Sequence, residues 1–388
     1  MTTPVSGLCI AHLIETNGPG GAERMLVHMV RELQDSGCRS IVIAPAGGEQ
    51  WLEHQLAETG VTVEPFVLDK PVSLKFGRWL TALLRRHRVT LAHSHEFTMA
   101  VYGAWAAWRA GIPHVTTMHG NRYYARRMRR RLALRAAFAV TGRVVAVSGA
   151  LARQLPRDLW IPASSITTIG NGVRPPPERG RRSDLRQQLG LGSQDRLVLA
   201  VGNLYPVKGH RYAVEALTSL PGVHLAIAGR GDLADALRDQ ATRLGVADRV
   251  HLLGLCSNIP DLLAAADVFV LPSLSEAVPL ALLEAMFAGC AIVASDVGDV
   301  RAVLDDGRAG ILVPAADTGA LAAAIAELLD APARARDLGA RAEQRAREEY
   351  DVSRMVARYV TIYKELLGGE PRAPAPEQFA SQSYGTLT

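Results

Sequence analysis

Two glutamates eight residues apart carry the strongest chemical signal in the sequence. They lie in segment 267–289, which reads as a strand, a loop and a helix. Across 280–288 the predicted helix is apolar on every side except at Glu284, which indicates burial all round. A buried carboxylate without a partner costs several kcal/mol. Hydroxyl groups of a ligand would be suitable partners for Glu284.

The other glutamate, Glu276, lies in the loop after the predicted strand, where open α/β sheets bind ligands. Pro279 suits the first turn of the following helix, whose N–H groups and positive dipole end favour a phosphate. Two carboxylates for hydroxyls beside an anion-binding helix end suit a sugar nucleotide. The alternative is an exposed Glu276 and a Glu284 that pairs with an internal arginine.

Short apolar runs alternate with amphipathic stretches along the chain, which predicts mostly parallel sheets covered by helices. In the first half the runs are 8–14, 40–44, 61–67, 89–93, 115–118 and 144–147. In the second half they are 197–201, 223–228, 250–253, 268–271 and 291–294.

Glycine, three prolines and charged residues interrupt this alternation after Asn171. The pattern predicts a first domain at 1–173, a linker at 174–195 and a second domain at 196–352. A helix at 353–367 is expected to pack back on the first domain. The tail 368–388, rich in Pro, Ala, Gln and Ser, is expected to be disordered.

The composition of the 388 residues, 48% hydrophobic and 21% charged, excludes a disordered, fibrous or disulfide-scaffold protein. The four cysteines lie far apart beside apolar runs, which favours buried thiols in a reducing compartment. We find neither a secretory signal pattern nor a window of 18 apolar residues. We therefore expect a cytoplasmic protein, at most peripheral on the inner face of the cell membrane.

Positive charge is concentrated in the first half of the chain. Residues 1–173 carry 20 basic and 11 acidic side chains, and residues 174–388 carry 23 and 27. Segment 122–135 has seven arginines and no acid, with interleaved Tyr, Met and Leu. Five of these arginines form a predicted patch for an anionic membrane or an acceptor phosphate: Arg126, Arg127, Arg129, Arg130 and Arg131. The alternative is a solvated helix face; no nucleic-acid recognition module surrounds the segment.

The spacing of Glu276 and Glu284 is the E-x7-E pattern, and the whole chain resembles glycosyltransferase family four. Supporting motifs follow in the same order as in that family: Gly20-Gly-Ala-Glu23, His119-Gly120, Asn171-Gly-Val173, and segments 201–209, 228–231 and 307–314. The resemblance covers about residues 8–367. It implies the α/β fold called GT-B, in which two Rossmann-like domains face each other across a cleft.

The resemblance also implies roles for individual residues. Glu284 would hold the ribose hydroxyls, Glu276 the donor sugar and Lys208 the diphosphate. Backbone N–H groups at Gly20 and Gly21 would approach the phosphates and the acceptor, and His119 would face the reacting centre. The implied donor site also includes Ala277, Val278 and Pro279.

The chain departs from the family pattern at three positions. Asn203 stands where a phosphate-binding Arg is common, Ala277 where Gly is common, and Ala302 where Glu is frequent. Asn203 weakens the expected phosphate clamp, and we expect Arg230 as a substitute cation. Local alternatives remain a solvated loop lysine for Lys208, a plain turn for Gly20 and Gly21, and a capping or core histidine for His119.

Two other motifs in the sequence could indicate a different function. Gly229, Gly231 and Ala234 fit the dinucleotide fingerprint G-x-G-x-x-A, but Asp248 precedes the next predicted strand instead of ending it. His93-Ser-His95-Glu96 could begin the metal site of a barrel hydrolase, which the interrupted alternation argues against. No D-x-D sequence occurs, so the diphosphate has no obvious metal ligands.

The sequence thus predicts a retaining, metal-independent hexosyltransferase that needs no cofactor. Its donor is a nucleoside diphosphate sugar, with UDP-sugar favoured over GDP-sugar. Its acceptor is a hydroxyl of a glycan or a lipid-linked glycan, in cell-surface polysaccharide or glycolipid synthesis, and nucleic acid is not an expected partner. The rival hypothesis is a catalytically silent GT-B-like protein that only binds sugar nucleotides, which measurable donor hydrolysis would exclude.

Overall fold

A computed structural model describes residues 7–47, 50–120, 123–176, 182–192 and 194–368. Within these ranges, short buried strands alternate with helices and pair in parallel to form two separate sheets. Each sheet is covered by helices from its own half of the chain, and the last helix also packs on the first domain. The prediction of two Rossmann-like domains is confirmed.

The first domain contains a seven-stranded sheet with the order β3-β2-β1-β4-β5-β6-β7. Its strands are β1 (Cys9–Leu13), β2 (Arg39–Pro45), β3 (Thr62–Phe66), β4 (Leu91–His95), β5 (His114–Met118), β6 (Arg143–Ala146) and β7 (Ile166–Thr168). Its helices are α1 (Gly21–Asp35), α2 (Trp51–Leu56), α3 (Leu74–Arg86), α4 (Glu96–Ala110), α5 (Met128–Val140) and α6 (Gly149–Leu159).

The second domain contains a six-stranded sheet with the order β10-β9-β8-β11-β12-β13. Its helices are α7 (Arg182–Gln188), α8 (His210–Ala216), α9 (Ala234–Arg243), α10 (Ile259–Ala265), α11 (Leu280–Phe287), α12 (Val300–Val303), α13 (Thr318–Asp330) and α14 (Pro332–Glu349). Its strands are β8 (Arg196–Val201), β9 (Val223–Ala228), β10 (Val250–Gly254), β11 (Val268–Leu271), β12 (Ile292–Ser295) and β13 (Ile311–Val313).

The strand order of each sheet reverses beside its first strand, between β1 and β4 and between β8 and β11. In such sheets a crevice opens at the carboxyl ends of the strands, because the connections on its two sides run in opposite directions. Gly20 follows β1, Lys208 follows β8 and Glu276 follows β11. The topology therefore brings these residues to the crevices.

The predicted linker 174–195 is too long, since part of it belongs to the second domain. Helix α7 begins at Arg182, and the buried Arg186 donates to the carbonyl oxygen of Ala265 at 3.0 Å. Arg186 also lies 3.4 Å from the Asp267 carboxylate. These long-range bonds could not be read from a polar local sequence.

The last helix, α15 (Val352–Gly368), returns to the first domain. Its Tyr359 and Tyr363 are buried and hydrogen-bond to Thr117 and His93 at 3.0 and 2.7 Å. The predicted disordered tail lies outside the described residues from 369 onward. Among the described helices, none combines the length and the apolar character needed to cross a bilayer.

Candidate active site in the cleft between the domains

A cavity of about 220 Å³ lies between the two domains, at the crevices where the strand orders reverse. Its walls bring together most of the residues that the sequence indicated: Gly20, Gly21, His119, Asn203, Lys208, Glu276, Ala277, Val278, Pro279 and Glu284. Arg230 is not among the residues of the described chain that line it. The position of Arg230 thus gives no support to its expected role, whereas Arg24 does line the cavity.

Glu276 and Lys208 form an ion pair in the cavity wall. The Lys208 ammonium donates to Glu276 Oε1 at 2.7 Å, and the Ser273 hydroxyl donates to the same oxygen at 2.8 Å. Only 8% of the Glu276 side chain is exposed, which excludes the interpretation of Glu276 as a surface residue. Because both bonds go to Oε1, the other carboxylate oxygen can accept a hydroxyl of a ligand.

Two glycines allow the backbone around Lys208 and Glu276 to approach neighbouring segments closely. A Cβ atom at Gly209, where φ is +64°, would lie 2.0 Å from the carbonyl oxygen of Pro272. A Cβ atom at Gly298, where φ is +57°, would lie 1.8 Å from the carbonyl oxygen of Glu276. Both positions require glycine on grounds of backbone angle and space. Gly298 lies outside the sequence motifs named above.

Glu284 faces a cation from the opposite domain. Nη1 of Arg24 in α1 lies 3.9 Å from Glu284 Oε1, and 21% of the Glu284 side chain is exposed. Burial raises the pKa of Glu284, and the positive charge of Arg24 partly offsets the rise. The partner is therefore an arginine, and it lines the cavity together with Glu284. The local sequence marks Arg24 as a candidate site residue only by its place in the first turn of α1, four residues after Gly20.

The beginning of α11 forms another part of the wall. Pro279 is the N-cap residue with extended backbone angles, and Leu280 and Ala281 line the cavity. The first N–H groups of a helix lack acceptors within the helix, and they carry its positive dipole end. An anion at this position remains a prediction, and it is supported by the position of Lys208 in the wall of the same cavity.

His119 lies at the end of β5 and lines the cavity from the first domain. Its backbone N–H donates to Glu96 Oε1 at 2.8 Å, and its Nε2 lies 3.1 Å from Nδ1 of His95. Burial lowers the pKa of His119 to about 4. The ring is therefore neutral at pH 7 and can offer a hydrogen bond but no charge.

Asp299 joins the two domains directly. Its carboxylate accepts hydrogen bonds from the backbone N–H groups of Gly149 and Ala150, at 2.5 and 3.0 Å. These two groups begin α6 of the first domain, and Asp299 precedes α12 of the second. A carboxylate at a helix N-terminus is stabilised by the dipole as well as by the two bonds.

Asp299→Ala is expected to open the ligand-free protein, because a bond from a backbone N–H to a charged acceptor contributes about 1.5–3 kcal/mol. The radius of gyration from small-angle X-ray scattering should increase. The control is Asp296→Ala, because Asp296 pairs with Arg301 of its own domain. An unchanged radius in Asp299→Ala would show that these bonds do not hold the domains together.

Comparison with known proteins matches both halves of the chain to family models. Residues 19–175 match the model described as Glycosyltransferase Family 4, and residues 181–345 match the model described as Glycosyl transferases group 1. The two matches meet near the boundary between the two sheets.

Individual proteins are similar over most of their length. Phosphatidyl-myo-inositol mannosyltransferase of Mycolicibacterium smegmatis is 30% identical, over 90% of this chain and 91% of the relative. Alpha-maltose-1-phosphate synthase of the same species is also 30% identical, over 71% and 79%. HepE of Anabaena, solved in complex with UDP and glucose, superposes with a TM-score of 0.81 at 25% identity, over 92% and 99% of the two chains.

Proposed function

The chain belongs to glycosyltransferase family 4, and on this premise we propose that it transfers a sugar from a nucleoside diphosphate sugar to an acceptor hydroxyl, with retention of anomeric configuration. The observation that carries the proposal is the cavity between the domains. There Glu276, Lys208 and Glu284 meet the N-terminal end of α11. The two carboxylates can accept hydrogen bonds from hydroxyl groups of a ligand. Between them, Lys208 and the helix end can bind an anion.

The donor is assigned to the cavity by the chemistry of its walls. Glu284 accepts hydrogen bonds from the ribose hydroxyls, and Glu276 accepts them from the sugar. The diphosphate lies between them, at Lys208 and the first N–H groups of α11. When the donor binds, the Lys208 ammonium also donates to a phosphate oxygen while it keeps its contact with Glu276. Its positive charge is therefore paired both with and without the donor.

Transfer proceeds on one face of the sugar. The bond from the anomeric carbon to the diphosphate oxygen breaks, and its electron pair leaves with the diphosphate. The acceptor oxygen bonds to the anomeric carbon from the same side, and its proton passes to a diphosphate oxygen. Lys208 and the helix N–H groups stabilise the charge that develops on the leaving group. A strong protein base is not required.

We propose that no metal or resident cofactor takes part and that UDP-sugars are preferred over GDP-sugars. Lys208 and Arg24 supply positive charge to the cavity, and the sequence has no D-x-D motif. The preference for uridine is supported by HepE, whose structure contains UDP. The acceptor is proposed to be a glycan or a lipid-linked glycan in cell-surface polysaccharide or glycolipid synthesis. The name of the mannosyltransferase relative, which includes a phosphatidyl lipid, supports this class.

The test begins with thermal shifts against a panel of nucleoside diphosphates and their sugars, with and without EDTA. A ligand at 100 times its dissociation constant stabilises by about 2.7 kcal/mol. UDP-sugars should give the largest shifts, unchanged by EDTA. Donor hydrolysis and the anomeric configuration of the product, read by NMR, then test transfer. Tight binding without hydrolysis or transfer would favour the catalytically silent protein.

The arginine patch is proposed to dock the protein on the anionic inner face of the cell membrane. Arg126, Arg127 and Arg129 are exposed near the beginning of α5. On the same helix, Met128 and Leu132 are 55% and 53% exposed, and they lie one turn apart on one face. Arg131 stacks on the exposed Trp160, 3.9 Å from the ring centroid. Cations beside exposed apolar side chains suit a lipid headgroup region.

Replacing Arg126, Arg127, Arg129, Arg130 and Arg131 with Ser is expected to abolish cosedimentation with anionic liposomes. Each basic residue near such a surface contributes up to about 1 kcal/mol, which salt screens beyond about 10 Å at 0.1 M. Wild-type binding should therefore fall steeply with ionic strength and be absent on neutral liposomes. If both proteins bind equally, or if neither binds, the membrane role is rejected. The patch is then a solvated helix face or the site of a soluble acceptor.

A further inference from the structure

Four buried or half-buried histidines line up beneath the candidate active site. His12 of β1 and His93 of β4 are partners in register, so their side chains lie on the same face of the sheet. His95 lies two residues further along β4, on that same face. The ring of His95 lies 6.0 Å from that of His12, 4.4 Å from that of His93 and 5.4 Å from that of His119.

His95 is the member of this row that touches His119. Its Nδ1 lies 3.1 Å from Nε2 of His119. Its Nε2 is buried and has no hydrogen-bond partner among the described residues. On its other side, His93 is held in place because both of its nitrogens are hydrogen-bonded, to Tyr363 and Thr117. Within the described part of the chain, His119 is therefore the one hydrogen-bond partner of the His95 ring.

The proton between His95 and His119 can belong to either ring. Burial lowers the pKa of both, so each neutral ring carries one proton. If His119 donated, the proton of His95 would lie on Nε2, where a buried N–H would have no acceptor. If His95 donates from Nδ1, Nε2 is only a bare lone pair. Buried N–H groups without acceptors are the rarer case in proteins. The second arrangement is favoured.

We propose that His95 is a positioning residue that donates to His119 and so keeps the proton of His119 on Nδ1. His119 then presents an N–H donor to an oxygen of the donor sugar, the diphosphate or the acceptor in the cavity. The inference rests on the proposed function for the role of His119 in transfer. The tautomer itself does not depend on that function.

A metal site is the competing interpretation of the same cluster. Nitrogens of His12, His93 and His95 lie within 4.8 Å of one another, and neither nitrogen of His12 has a partner among the described residues. A metal bound here would have to take a nitrogen of His93 from Thr117 or Tyr363. The existing hydrogen bonds therefore favour the positioning role.

Three variants separate these roles. His95→Leu removes the donor, and we expect kcat to fall about tenfold to a hundredfold, the usual effect of removing a supporting hydrogen bond. Donor KM and UDP affinity should stay within about threefold of wild type, because His95 does not line the cavity. In His95→Asn the amide nitrogen replaces Nδ1 as a donor, so kcat should recover to within about fivefold. His12→Leu is the matched control: it removes a buried imidazole that has no hydrogen-bond partner in the described ranges, and it should leave kcat within about threefold.

The tautomer is read directly by NMR of protein labelled with ¹⁵N-histidine, assigned with His119→Gln. We expect the His119 proton on Nδ1 in the wild type and in His95→Asn, and a mixture of tautomers in His95→Leu. A proton on Nε2 in the wild type would overturn the proposal. An equal loss of kcat in His12→Leu, or a stoichiometric transition metal in the purified protein, would do the same. If the tautomer is as expected but the wild type transfers no sugar, the proposed function fails and the His95 contact stands.

Discussion

Glu276→Ala is expected to lower kcat by about a hundredfold to a thousandfold, the range seen when one group that stabilises a transition state is removed. Affinity for the free nucleoside diphosphate should stay within about threefold of wild type or increase. The reason is the ion pair of 2.7 Å between Glu276 and Lys208. Without Glu276, the sugar loses its acceptor, while Lys208 becomes fully available to the diphosphate. Steady-state kinetics and calorimetric titration with UDP measure the two effects separately.

The matched control is Glu64→Ala. Glu64 is also a mostly buried carboxylate in an ion pair, with Arg86, but it does not line the cavity. We expect it to lower the melting temperature and leave kcat unchanged. If nucleotide affinity collapsed in Glu276→Ala as far as activity does, Glu276 would bind the nucleotide instead of the sugar.

Glu284→Gln is expected to weaken nucleotide binding about tenfold to a hundredfold, since hydrogen bonds to a charged group contribute about 1.5–3 kcal/mol. The fold should survive. Burial raises the pKa of Glu284, because the charged carboxylate is less favourable at this position than in water. The neutral amide of Gln avoids this desolvation penalty. The free energy of unfolding without ligand should therefore be unchanged or larger, as chemical denaturation will show.

A modified ligand makes this test specific to the ribose. A nucleoside diphosphate without the 2′-hydroxyl should bind the wild type more weakly than the normal nucleotide. Glu284→Gln should discriminate less between the two, because the partner of that hydroxyl has lost its charge. Arg24→Met serves as the control for the ion pair across the cleft, since it removes the cation and keeps the carboxylate. Full discrimination by Glu284→Gln would refute the ribose assignment.

Most of the fold was predictable from the sequence because parallel strands buried on both faces leave continuous apolar runs. The runs indicated all strands except β7 and β13. These two have three residues each and lie at sheet edges, so the local signal is short. The order of the motifs identified the family. The loops after the strands identified most of the cavity wall, because carboxyl ends of parallel strands meet at one edge.

Only the tertiary structure decided which residues of one domain contact the other domain. Arg24 reaches Glu284, and Asp299 reaches the beginning of α6, across 150 or more residues of chain. His95 ends β4 and His119 directly follows the neighbouring β5, and each alone looks like an ordinary core histidine. Local composition determines where strands and helices form, since burial and backbone preferences act within a few residues. Contacts between distant segments depend on how the two sheets are oriented, which no local pattern encodes. For this reason the sequence indicated the glutamates and the lysine, and the structure was needed to find their partners.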